Sequence, residues 1–211
     1  MKINLNIPEN LSEITLAQYQ KWIKIIDNEA LSTFFQQKMI EIFCNADLKN
    51  ILQMRVKDVD EVTTHIDNIF KEKPKFQATF FLNDVEYGFI PKLDEMTFGE
   101  YVDLDTYLGE WDTMSNAMSI LFRPIKHKRK DKYLIEDYES SDKHNLSNMP
   151  LNIVMGALVF FCNLRGELQK HILNYLKTQD SVEIPQELKD SLASGVGINP
   201  FTDLQRAILE N

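Results

Sequence analysis

The residues that could do chemistry cluster in two adjacent blocks of opposite charge. From Leu93 to Ser119 the chain carries seven acids and no base: Asp94, Glu95, Glu100, Asp103, Asp105, Glu110 and Asp112. Clustered carboxylates can hold Mg²⁺ or Ca²⁺, and Asp103 and Asp105 form a D-x-D pair. A calcium loop needs alternate ligands around a turn glycine and a closing Glu, and that pattern is absent. The block therefore has three readings: a metal site, a solvated acidic face or a charged contact surface. Directly after it, Arg123, Lys126, Lys128, Arg129, Lys130 and Lys132 crowd ten residues, broken only by Asp131. A basic tip can touch nucleic acid through its phosphates. No aromatic alternates with these bases, as a single-strand stacking platform requires. The other readings are a solvated hairpin tip and a dock for an acidic surface of another copy.

Elsewhere the chemical signals are sparse. His65, His127, His144 and His171 lie far apart, and none has a metal-ligand spacing. The chain contains no GxxxxGK[ST], GxGxxG, HExxH or GxSxG motif, which leaves no nucleotide, zinc-protease or serine-hydrolase signature. Cys44 and Cys162 form no CxxC pair and sit in apolar surroundings, as buried free thiols of a reducing compartment do. The expectation is a protein with no catalytic residues, no metal and no cofactor.

Those blocks must be carried by the elements around them. Ile3, Leu5 and Ile7 alternate with polar residues, which predicts a short strand ended by Pro8. Helical stripes follow over 15–27, about 32–46 and roughly 57–71. The period then changes to two. Phe76, Ala78 and Phe80, and after Asn83-Asp84 the set Val85, Tyr87 and Phe89, predict a β-hairpin over 75–90. Thr97 and Glu100 have capping-box spacing for a helix reaching about Leu108. Asp112 is expected to cap the next helix, which carries Met114, Met118, Leu121 and Phe122. A second hairpin is expected over 122–135, with arms Phe122–Ile125 and Tyr133–Ile135 and KHKRKDK as the loop between them. Residues 136–148 read as a polar loop.

Pro150 opens the longest helix, to about Lys177. Its first half, Leu151 to Leu164, has no charge but is too short for a membrane span of about 20 residues. A central buried helix is expected, and no membrane partner. The last segment, 179–211, is punctuated by Pro185, Gly195, Gly197 and Pro200. It reads as an extended arm ending in a short helix, with Phe201, Leu204 and Ile208 set to dock on a neighbouring subunit. The fold class expected is mainly α (α+β): a helical domain over 1–178 with a long central helix and two small β-hairpins, then the arm.

Composition agrees. Glycine and proline number only 7 each in 211 residues, below average usage, which favours helix and leaves few phosphate-cradling loops. A net charge of −9 opposes a dedicated nucleic-acid binder. The opening MKINLNIPEN has no apolar core, so no secretory signal is expected. If the acidic and basic blocks lie on different sides of the fold, copies attract head to tail. Such contacts close into rings or extend into filaments. The expected contact set is Lys126, Lys128, Arg129 and Lys130 against Asp103 and Asp105 of the next copy.

Several stretches also carry a resemblance: ITLAQYQKWIKI (14–25), FIPKLDEMTFGEYVDLDTYLGEW (89–111), MSILFRPI (118–125), YLIEDYES (133–140) and GVGINPFTDL (195–204). Together they resemble small tail-region proteins of tailed bacteriophages. The similarity is to T4-like baseplate hub-assembly and tail-chaperone proteins, and to neck and tail ring proteins of crAss-like phages. Its most specific part is FGEYVDLDTY followed by an aromatic-Arg-Pro. The resemblance implies a non-enzymatic virion protein of the tail or neck, made in the host bacterial cytoplasm. Its partners would be other copies of itself in a ring and neighbouring tail or neck proteins. The alternative it implies is a tail-assembly chaperone absent from the mature virion.

Overall fold

The computed structural model describes residues 5–26 and 33–178, with side chains through Leu164. The chain is mainly helical with one small antiparallel sheet. The described residues divide into two compact units, one drawn from 5–75 with 145–155, the other from 76–144 with 156–178. The expected arm, with Phe201, Leu204 and Ile208, lies outside the described residues.

The first unit is built of helices. Thr15 and Gln18 cap each other before α1 (Leu16–Ile26): the Thr15 amide donates to Gln18 Oε1 at 2.9 Å, and the Gln18 amide to Thr15 Oγ1 at 3.2 Å. This reciprocal pattern satisfies amides that a helix start leaves orphaned. Then come α2 (Thr33–Phe43), the short α3 (Leu48–Ile51) and α4 (Val56–Phe70). Trp22 packs edge-on against Phe35 and Phe43, and Phe43 against Phe70. The segment before the last described helix, α7 (Leu151–Thr178), closes this unit. The Leu16 amide donates to Met149 O and the Leu151 amide to Ile14 O, around an isolated bridge between Thr15 and Pro150. Leu146, inside the expected polar loop, and Met149, just after it, are fully buried here.

The second unit carries both charge blocks. Strands β1 (Thr79–Leu82) and β2 (Val85–Phe89) form the first hairpin. Asn83 and Asp84 both hold positive φ, 49° and 64°, the two-residue turn whose twist suits a hairpin and which Asn and Asp tolerate. Helix α5 (Phe98–Tyr107) and helix α6 (Met114–Leu121) follow and pack on each other. α6 runs straight into β3 (Phe122–Arg129), which pairs with β4 (Lys132–Ile135). β2 also pairs with β3, so the two expected hairpins join into one sheet of order β1-β2-β3-β4. Phe80, Phe89 and Phe122 cluster on one face, and Phe160 stacks on Phe76 and meets Phe89 edge-on.

Helix α7 (Leu151–Thr178) begins after Pro150, and Ile153 and Val154 donate back to its carbonyl. Leu151, Val154, Ala157 and Leu158 are fully buried, as their uncharged run predicts. No described helix is long and apolar enough to cross a membrane.

Four expectations change. The first part of the expected N-terminal strand lies outside the described residues, and residues 5–7 show no strand among the described ones, with Ile7 exposed before the turn capped by Asn10. The short α3 is missed by periodicity, because four residues make barely one turn. Asp112 does not cap α6; it lies inside the 3₁₀ turn Trp111–Thr113, and Thr113 holds the N-cap position. The basic run is strand rather than loop, because ladder pairing continues past a bulge to Arg129–Lys132.

Candidate functional site

The capping box at the start of α5 forms as its spacing predicts, and it recruits more than the cap. Thr97 presents its amide and hydroxyl to Glu100 Oε2, at 2.7 and 2.8 Å. The other carboxylate oxygen, Oε1, takes the Arg123 guanidinium at 2.5 Å. Both side chains of this pair are more than nine-tenths buried. Burial alone raises a carboxyl's affinity for protons, yet the Thr97 bonds and then the Arg123 charge prevail. The Glu100 carboxyl is held below the ordinary carboxylate range. Arg123 Nε is buried without a hydrogen-bond partner. The guanidinium also lies 5.7 Å from the centre of the Tyr138 ring, within cation–π reach. Tyr138 in turn donates to Asp103. Burial first, then that carboxylate, raises the Tyr138 hydroxyl far above its usual range.

Members of both blocks are thus spent inside the unit. Glu100 and Arg123 are buried together, and Asp103 is engaged by Tyr138. Glu95 pairs with Lys92 at 2.5 Å. What the acidic block shows outward without an ion pair to any described residue is Asp94, Asp105 and Glu110. Among the described residues, no three His, Cys, Asp or Glu side chains are grouped to hold a metal.

The same sorting applies to the bases. Lys126 Nζ is 2.9 Å from Asp137, at the bulge where the β3–β4 register shifts. Lys128 reaches across the sheet to Glu86. Arg129, Lys130 and Lys132 make no ion pair with a described residue and stand exposed at the turn. Lys130 holds positive φ, 55°. The opposite face of the hairpin is fixed by Tyr133, which lies over Gly88. A Cβ there would meet Tyr133 Cε2 at 2.5 Å, and the Tyr133 hydroxyl donates to Phe89 O at 2.8 Å.

Helix α5 also shows a feature that charge counting missed. Phe98, Tyr101 and Val102 are 81%, 57% and 43% exposed. With exposed Asp105 they occupy i, i+3, i+4 and i+7, one stripe along the helix. A helix in a globular domain normally turns such a stripe inward. Here the inner face is Glu100 and Leu104, so the aromatic stripe faces out.

The histidines do not converge. His65 bonds Pro8 O at 2.9 Å, His127 is exposed on β3, and His144 lies 3.4 Å from Glu136. His171 lies beyond the described side chains. No protein-family model, curated protein or solved structure matches this chain significantly.

Proposed function

We propose that this chain is a non-enzymatic structural protein of a tailed-bacteriophage particle, a tail or neck subunit present in many copies as a ring. One observation carries the reading beyond the sequence resemblance. A single unit displays an outward aromatic stripe beside unpaired acids, and an unpaired basic hairpin tip. Large apolar side chains held outward are a feature of protein-contact surfaces. Two different complementary patches on one chain suit head-to-tail assembly. The partners proposed are other copies of the chain and adjacent tail or neck proteins, with the virion as its location. Neither nucleic acid nor a membrane is proposed as a partner. Quantitative mass spectrometry of purified particles tests this. Stoichiometric presence in the particle supports the structural reading. Absence from particles, with presence in infected cells, replaces it with the assembly-chaperone reading.

A further inference from the structure

We infer that the outer face of α5 is the docking site for the β3–β4 hairpin tip of a second copy of this chain. The α5 stripe cannot relieve its own exposure by rolling inward. Its opposite face is tied by the Glu100–Arg123 pair and by the bond from Tyr138 to Asp103. Breaking that pair strands a buried charge. Phe98, Tyr101 and Val102 therefore remain an apolar centre, with Asp94 before the helix and Asp105 near its end as an anionic rim.

The hairpin tip has the matching composition. Arg129, Lys130 and Lys132 are exposed cations with no ion pair to a described residue, against the single Asp131. Leu134, two residues on from Lys132 along β4 and so on the same strand face, is 64% exposed. An apolar centre within a charged rim, on both partners and with opposite sign, is the usual anatomy of a specific contact. Nucleic acid on the tip would satisfy the cations but leave the α5 stripe uncovered, so the second copy fits both patches better. The rim charges, being exposed, set register and approach rate more than affinity. The apolar centre supplies the affinity.

This inference rests on the proposed reading only in taking the chain to self-associate; it does not depend on a phage origin. The test uses the full chain in sedimentation velocity across protein concentration and ionic strength. Wild type associates, and less so at high salt. Phe98→Ala weakens association by about tenfold or more, as loss of a central aromatic anchor does. The triple variant R129E/K130E/K132E and the double variant D94K/D105K, each with wild-type melting behaviour, sediment as monomers alone. Mixed together they associate again, because each then meets the opposite sign. Monomers in that mixture, or either reversed chain associating like wild type, overturn the docking pair while leaving a structural role open. A wild-type chain that stays monomeric at every concentration overturns the docking pair and removes the self-association on which the ring reading depends. Loss of duplex-DNA retention by R129E/K130E/K132E, with its sedimentation unchanged from wild type, overturns the second-copy assignment in favour of nucleic acid.

Discussion

Exchanging Glu100 for Gln probes the buried pair most directly. The amide oxygen can still accept from Thr97, so the cap survives while the anion goes. Arg123 then remains buried as a cation with an unpartnered Nε and the Tyr138 ring beside it. Removing one partner of a buried pair costs about 3–5 kcal/mol. Arg123→Met costs less, because Glu100 keeps both Thr97 bonds and can take up a proton. The double variant E100Q/R123M leaves no charge to strand, and its remaining cost is a buried Gln amide without a partner, about 1–3 kcal/mol. Urea unfolding of the four proteins gives the cycle, with an expected coupling of at least about 2 kcal/mol. The pH profile supplies a second readout. Because the folded-state Glu100 carboxyl is held below its ordinary range, its stabilisation is complete above the unfolded value of about 4.3. It is lost as pH falls through the folded value. The gap between wild type and E100Q is therefore full at neutral pH and narrows below about pH 4. A cycle that sums to zero, or a gap unchanged down to pH 3, would refute the electrostatic account of α5.

Other outcomes follow from the same structure. Gly88→Ala, whose Cβ would meet the Tyr133 ring at 2.5 Å, destabilises by about 1–3 kcal/mol as overpacking does; in a Tyr133→Ala background that cost largely disappears in urea titrations. Thr97→Ala removes the hydroxyl that caps α5 and costs about 0.5–2 kcal/mol by the same assay, with Thr97→Ser closer to wild type. Lys130→Gly relieves the positive φ of 55° and stabilises by about 0.5–1 kcal/mol in thermal melts, strain relief exceeding the added chain entropy. Val154→Asp or Leu158→Asp places an unpaired charge at a fully buried position of α7 and abolishes the cooperative melt.

How much of this was legible depends on how local the cause is. The Thr97–Glu100 box, the Asn83-Asp84 turn and the Pro150 start each need only a few neighbouring residues, and each forms where its spacing predicts. The extension of β3 through Lys126–Arg129 was not legible in the same way. Polar residues carry no alternation signal; the extension shows only in the backbone pairing with β4, with Tyr133 over Gly88 and the Lys128–Glu86 pair tying the hairpin to β2. The charge blocks were visible as composition, but composition cannot say which members are spent internally. Glu100 and Arg123 are 23 positions apart in sequence, and Asp103 meets Tyr138 across 35. Only the fold shows that Asp94 and Asp105, rather than Asp103, stand outward and unpaired, and that Lys126 and Lys128 are partly committed within the unit.

The orientation of α5 reverses the usual relation between pattern and burial, and the cause is the buried pair. By apolar spacing alone, Phe98, Tyr101 and Val102 would be the core stripe of this helix. A ten-residue helix has room for one inner face, and Glu100 occupies it with Arg123 from β3. Two apolar residues of similar volume could pack there at no loss of stability, and they would not specify rotation as narrowly. A guanidinium against a carboxylate already fixed by two Thr97 bonds admits one orientation of the helix. The pair thus contributes more to the direction in which the stripe points than to the strength of the fold. It aims the aromatic side chains at solvent, where in isolation they gain nothing. Such an arrangement gains a physical rationale if something covers the stripe, and the docking we infer for the oppositely charged tip of a second copy would supply that cover.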